Sequence, residues 1–287
     1  MQASRKLKEE IGINSQLKLL TQAYQEHAIV QINLARFSVV SSREFMEELA
    51  EIFFNVKTSY QQYLEALKAN DKKHYDVRLE KNGREVIILL SSNGKFYGDL
   101  VTKVSRLFVQ EAKTKDVDLI IVGREGKSFY DDSGTKKPYA YYEIPDTNVT
   151  LESIKPLIDA ILPYKKVSIF YGKFNNIITQ DPVKTSLTGD LQEGKTAAPK
   201  EDFLFEPSVE KIMEFFESQI FAMLFNQTVN EGKLARFASR IKAMEFAQNN
   251  LQKQLDWLMG NQRRLHSLEV NKRQLQLFAG RSLWNKK

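Results

Sequence analysis

The 287-residue chain contains no cysteine, which excludes disulfides, thiolate metal sites and thiol catalysis. It has three histidines, His27, His74 and His266, each isolated in sequence, without the paired spacing of a metal-binding helix or a nucleophile elbow beside them. Neither a metal nor another cofactor is expected. No run of about 18 apolar residues occurs, so no membrane span is expected. The segment Met1 to Glu10 mixes Arg5, Lys6 and Lys8 with Glu9 and Glu10, unlike a signal or transit peptide. Proline is absent from both flanks of the chain: all seven prolines fall between Pro138 and Pro207. The flanks therefore lack the residue that most reliably breaks a helix.

What fills those flanks is a repeating apolar pattern. Steps of four and three residues from Ala28 reach Ile32, Ala35, Val39, Ser42, Met46, Leu49, Phe53, Val56, Tyr60, Tyr63 and Leu67, with Ser42 the one polar interruption. From Val209 the same stepping reaches Met213, Phe216, Ile220, Met223, Gln227, Asn230, Leu234, Phe237, Ile241, Met244, Gln248, Leu251, Leu255, Leu258, Gln262 and Leu265. This is coiled-coil periodicity, and the interspersed amides weaken the seam while defining its register. A helix over most of 208–287 would be on the order of 100 Å long at 1.5 Å per residue, more than a small domain can enclose. The expected arrangement is an antiparallel coiled coil of N- and C-terminal helices, with both termini near its tip.

Charge is uneven along the chain. From Arg263 onward the basic residues Arg263, Arg264, Lys272, Arg273, Arg281, Lys286 and Lys287 face the single acid Glu269, an excess that matches the net charge of +6 of the whole chain. A solvated helix end, favoured by the macrodipole, and contact with an acidic collar or nucleic acid are both open readings of that basic tip.

The middle of the chain, 75–206, follows another pattern. Arg84 to Ser92 and Asp118 to Gly123 are short β-branched apolar runs, and Asp99 to Lys113 between them has helical spacing. A strand, helix, strand unit implies parallel pairing. A second helix is expected at Leu151 to Leu162, then paired strands at Lys166 to Gly172 and Asn176 to Gln180, with Asp202 to Glu206 closing the region. Thr185 to Lys200 reads as a surface loop. The fold class is thus α/β with long helices, an open Rossmann-like sheet carried on the helical pair. The expected divisions are an N-terminal coiled-coil helix at 1–70, an α/β body at 75–206 and a C-terminal coiled-coil helix at 207–287.

Candidate chemistry in the body is sparse. The turn Ser91 to Gly98 follows a strand and precedes a helix, a place where backbone amides cradle phosphate. Its Gly94 and Gly98 fit neither a Walker loop nor a dinucleotide fingerprint, so a plain strand-to-helix turn is the expectation. Gly123 to Lys127 reads as a turn with a charged tip, and the Asp131, Asp132 pair as a solvated loop. No case for an enzyme follows.

Several stretches resemble one family. Phe205-Glu206-Pro207-Ser208, Glu217-Ser218-Gln219-Ile220-Phe221 and Ser239-Arg240-Ile241-Lys242-Ala243-Met244 with Ala247 and Asn250 are similar to the F-E-P-S, E-S-Q-I and a-R-m-x-A-M-x-x-A-x-x-N motifs of the gamma subunit, the central rotor shaft, of rotary F-type ATP synthases. Leu90 to Gly98, Val122 to Gly126 and Tyr171 to Phe174 resemble further motifs of that family in the same order.

The resemblance implies an axle turning inside a hexamer of alternating alpha- and beta-type subunits, which would carry the catalytic sites and couple ATP synthesis or hydrolysis to ion translocation. The body would dock an epsilon-type subunit and the membrane rotor ring, peripherally on the cytoplasmic face of a bacterial membrane. It implies axle or hexamer contacts at Leu20, Thr21, Ala23, Tyr24, Arg240, Ala243, Met244, Arg263, Arg264, His266 and Arg273. The chain departs from the family at Leu20 to Tyr24, at His266-Ser267 and at Val270 to Arg273, where a charge is reversed. That departure keeps open a gamma-like shaft in a specialised F-type ATPase driving something other than proton movement. A coiled-coil nucleic-acid module using the basic tip, and more remotely a small-molecule enzyme on the body, remain as readings from other classes.

Overall fold

A computed structural model describes residues 4–36, 82–147, 149–187 and 209–284. The chain divides into two compact units, Met1–Ala28 with Ile241–Lys287, and Ile29–Arg240.

The second unit is built on a five-stranded sheet. Its elements run β1 (Glu85–Leu90), α2 (Leu100–Thr114), β2 (Asp118–Val122), α3 (Arg124–Asp132), β3 (Tyr139–Tyr142), α4 (Leu151–Ile161), β4 (Lys166–Phe174) and β5 (Gln180–Ser186). The strand order is β3-β2-β1-β4-β5. The pairs β1 with β2, β1 with β4 and β2 with β3 are parallel, and β4 with β5 is antiparallel. Alternation along each strand sends side chains to two faces. Val86, Ile88 and Leu90 pack with Ile120, Ile169, α4 residues Ile154, Leu157 and Ile161, and Phe221 and Phe225 of the C-terminal helix. Ile87 and Leu89 pack on the other face with Ile121, Phe170 and α2 residues Leu100, Val104 and Phe108. Each face is covered because each strand of a parallel sheet is apolar on both sides. Helix α4 begins at Thr150, whose hydroxyl accepts from Ser153 N at 3.3 Å while Thr150 N donates to Ser153 Oγ at 3.2 Å, a reciprocal cap.

The expected strand, helix, strand unit is present as β1, α2 and β2, with helix α4 following. Three local expectations are corrected. Arg124 to Asp132, expected as turn and loop, is helix α3, held by Gly126 and Tyr130 on its buried side. Tyr139 to Tyr142 is an edge strand that the reading omitted. The second strand of the hairpin is Gln180–Ser186, because Asn176 makes the turn itself: its Oδ1 accepts from Ile178 N at 2.9 Å and Thr179 N at 2.7 Å.

Helix α1 covers 4–36 and helix α5 runs Val209–Trp284, 76 residues. The first unit pairs α1 as far as Ala28 with α5 from Ile241 on. Within the unit the less exposed positions of α1 include Leu7, Ile11, Asn14, Lys18, Thr21, Tyr24, Gln25 and Ala28, and those of α5 include Met244, Gln248, Leu251, Leu255, Leu258, Gln262 and Leu265. The α5 stripe is the heptad seam read from the sequence, and Ala28, Ile32 and Ala35 of α1 are buried as that reading expects. Gln248 Nε2 donates to Gln25 Oε1 at 2.6 Å and Lys18 Nζ to Gln252 Oε1 at 2.5 Å. Lower numbers on α1 meet higher numbers on α5, so the pair is antiparallel. No helix among the described residues is long and apolar enough to cross a membrane. Seam positions Val39 to Leu67, the segment Asp202 to Glu206 and most of the Thr185 to Lys200 stretch lie outside the described residues; Thr185 and Ser186 belong to β5.

Candidate functional site: a loop clamped to the long helix, and an outward apolar face

In the second unit, β1 delivers the chain to Ser91 beside the switch point, where the strand order reverses between β1 and β4 and α/β sheets bind ligands. Here the position is filled by the chain itself. Gly94 N donates to Asp146 Oδ2 at 2.7 Å, and Asn93 N to the two carboxylate oxygens at 3.2 and 3.0 Å. The amides considered as a phosphate cradle are therefore occupied by a carboxylate. Asn93 ties two neighbouring segments, donating from Nδ2 to Ile144 O at 2.8 Å and accepting Arg124 N at 3.2 Å. Gly123 lies where φ is +96° and an added Cβ would sit 2.9 Å from Ser92 backbone atoms, so only glycine fits.

Helix α5 grips the same loop from its other side. Ser239 Oγ donates to Tyr97 O at 2.7 Å, and Arg240 Nη2 to Lys95 O at 2.7 Å. The Arg240 guanidinium lies 3.8 Å from the Tyr97 ring centroid, and Phe237 meets that ring edge-on at 5.8 Å. Lys233, Arg236 and Arg240 are buried and spaced three and four residues apart, which puts them on one helix face. Burial, and then the neighbouring cation, lower the pKa of Lys233 and Arg236, while Asp146 acts in the opposite sense on both. Burial, with the Asp146 charge second, raises that of Tyr97. Further along, Tyr171 donates its hydroxyl to Glu231 Oε2 at 3.1 Å, and burial above all pushes its pKa up to about 12. This is a mechanical constellation. It fastens the sheet to α5 by charge, stacking and backbone hydrogen bonds, with no nucleophile and base set against each other among the described residues.

The first unit carries a different surface. On α1 Ile13, Leu17 and Leu20 are exposed, and on α5 Phe246, Leu268, Leu275 and Leu277 are exposed, along with Trp257 at 66% and Phe278 at 70%. The sequence-derived contact residues scatter over this unit. Leu20, Ala23, Arg263, Arg264, His266 and Arg273 are exposed. Thr21 and Tyr24 are half-buried, and Thr21 Oγ1 donates to Lys18 O at 2.8 Å. Ala243 is half-buried and Met244 is buried in the seam. Arg240 stands apart from them, enclosed in the second unit against the loop. Asp146, Lys233 and Arg236 escaped the sequence reading, and Tyr97 entered it only as part of the Ser91 to Gly98 turn. The one signal for Lys233 and Arg236 was the spacing of three cations inside a largely apolar stretch of α5.

Comparison with known proteins agrees with this architecture. The ATP synthase family model matches residues 3–266. The ATP synthase gamma chain of Halothermothrix orenii is 22% identical over 299 aligned residues, covering 98% of each chain. The ATP synthase gamma chain of Ruthia magnifica subsp. Calyptogena magnifica is 23% identical over 261 residues, 87% of this chain and 88% of that one. Among solved structures, the central stalk/c-ring structure of the Tetrahymena thermophila mitochondrial ATP synthase aligns with a TM-score of 0.56 at 16% identity, over 79% of this chain and 99% of that chain. The Euglena gracilis mitochondrial OSCP/F1/c-ring structure in rotational state 3 aligns with a TM-score of 0.54 at 14% identity, over 88% and 93%; these structural likenesses speak to fold. With a family match that takes in α1, the whole sheet and most of α5, the chain belongs to the ATP synthase gamma-chain family.

Proposed function

We propose that this chain is the central-stalk gamma subunit of an F-type ATP synthase, rotating inside a hexamer of alternating alpha- and beta-type subunits to couple ATP synthesis or hydrolysis to ion translocation. The observation that carries the reading is the polarity of α1. Its inward stripe mixes Leu7, Ile11 and Ala28 with the polar Asn14, Lys18, Thr21 and Gln25, while Ile13, Leu17 and Leu20 face out. A helix pair left in water buries its apolar residues between the helices; one that turns them outward suits enclosure by other protein.

Catalysis belongs to the hexamer on this reading. The shaft biases each catalytic subunit by presenting it with a different face at each angle, since a conformational equilibrium shifts only through differential contact. Leu20, Thr21, Ala23, Tyr24, Arg263, Arg264, His266 and Arg273 are the proposed hexamer contacts, with Ala243 and Met244 holding the axle seam and Arg240 holding the body. The chain is organised as a helix at 1–70, a body at 75–206 and a helix at 207–287. The body docks an epsilon-type subunit and the membrane ring, and the complex sits peripherally on the cytoplasmic face of a bacterial membrane.

The test is reconstitution of the full chain with its alpha- and beta-type subunits on a surface, with a bead on the body. Unidirectional, ATP-driven rotation is the expected result. A hexamer that hydrolyses ATP at full rate while the bead diffuses freely would sink the proposal.

A further inference from the structure

Asparagine followed by glycine is the pair that loses ammonia most readily, because no side chain shields the glycine nitrogen. The chain has two such pairs, Asn82-Gly83 and Asn93-Gly94. In the reaction the glycine nitrogen attacks Cγ of the asparagine, the new C–N bond closes a five-membered imide, and the Cγ–Nδ2 bond breaks as ammonia leaves with the glycine's proton. Water then opens the ring at either carbonyl, giving aspartate or isoaspartate. The rate depends on whether the backbone nitrogen is free to meet Cγ, which the fold decides. Here the two pairs stand in opposite settings. Asn82 and Gly83 are exposed at the entrance to β1. Asn82 Oδ1 accepts from Arg84 N at 2.9 Å, an Asx turn that folds the side-chain amide back over the Gly83 nitrogen and polarises its carbonyl toward attack. Gly83 has φ of +73° with nothing within 4 Å of where a Cβ would stand, and no acceptor among the described residues holds its N–H. At the other pair the nucleophile is engaged, since Gly94 N donates to Asp146 at 2.7 Å. The Asn93 side chain is drawn to other segments, donating to Ile144 O at 2.8 Å and accepting from Arg124 N at 3.2 Å. Those bonds must break before the ring can close.

We propose that Asn82 is a site of spontaneous deamidation in the folded chain, and that Asp146 guards Asn93 against the same reaction. The consequences at the two positions differ. Aspartate at 82 still offers an acceptor to Arg84 N and lies ahead of the buried run Val86 to Leu90, so the body stays folded with one positive charge fewer than the net +6. At 93 the product would lose its donation to Ile144 O and set a second carboxylate beside that of Asp146, a like-charge pair on one loop. The clamp thus protects the pair whose modification would undo the clamp.

A protease that cuts after lysine releases Asn82 to Lys95 as one peptide holding both pairs, so tandem mass spectrometry reads the two rates on the same molecule. The full-length chain, aged in mildly alkaline buffer, should lose ammonia at Asn82 roughly 10- to 100-fold faster than at Asn93, the factor by which a hydrogen bond to an ionised acceptor holds the Gly94 nitrogen back. In urea the two rates should converge, because both pairs are then the same dipeptide in solvent. Asp146→Ala, aged where circular dichroism shows it folded, should speed the reaction at Asn93 and leave that at Asn82 unchanged. Equal rates in the folded wild type, or a faster Asn93, overturn the proposal without reference to any variant. An Asn82 rate far below that of the urea-unfolded chain overturns the site at Asn82. A folded Asp146→Ala chain in which Asn93 stays slow assigns the protection to the Asn93 side-chain bonds and overturns the guarding role of Asp146.

Discussion

Replacing Asp146 by alanine removes the acceptor of two backbone amides and the carboxylate that attracts the buried cations Lys233 and Arg236. A buried N–H left without a partner costs about 1–3 kcal/mol. Asp146 is itself half-buried, so water recovers part of that loss. Lys233 and Arg236 lose their attraction to the carboxylate in the same step, and a buried charge that loses its partner is expensive. Together the loss should be about 2–4 kcal/mol, a large share of the ~5–15 kcal/mol that holds a typical protein folded. Urea unfolding of the full chain, followed by circular dichroism and by the tyrosine signal of the second unit, reads this directly. Hydrogen exchange at Gly94 should accelerate, since its 2.7 Å bond is gone. A companion variant sharpens the reasoning: Arg236→Met in the Asp146→Ala background should cost less than the two changes summed, because the cation that needed the carboxylate has been removed. An Asp146→Ala chain within about 0.5 kcal/mol of wild type, the range of an ordinary surface change, would refute the clamp.

Gly123→Ala places a Cβ 2.9 Å from the Ser92 backbone at φ +96° and should cost at least ~2 kcal/mol in the same urea assay. Tyr171 has its folded pKa raised from 10.0 to about 12, so its contribution is whole below pH ~10 and is lost as pH climbs from there toward 12; Tyr171→Phe should flatten alkaline unfolding over that window. The paired change Gln25→Leu with Gln248→Leu should raise the melting temperature of the helical pair while loosening its register, detectable as a broader spread of spin-label distances across the seam.

What could be read from sequence followed periodicity. The α5 seam was visible because its stepping continues for many heptads, and β1 and β2 because β-branched runs in a two-faced sheet carry no polar interruption. Helix α3 was hidden: within nine charge-rich residues only Gly126 and Tyr130 are buried, too few to show a period. Strand β3 was hidden as a four-residue edge strand between Pro138 and Pro145. At the site, the Ser91 to Gly98 turn was visible as a feature. Its filling was not, because Asp146 lies 53 residues from Asn93 in sequence and is brought to it by parallel strand order alone. The polar middle of the α1 stripe was obscured for the same reason: Leu17 and Leu20 look like seam residues until the partner helix selects Lys18 and Thr21 instead.

The bond from Gln248 to Gln25 joins two neutral amides. Neither group titrates between the extremes of pH, and neither carries a charge for salt to screen. That clasp therefore holds one alignment whatever the acidity or ionic strength around it, a useful indifference for a shaft that must keep its register while it turns.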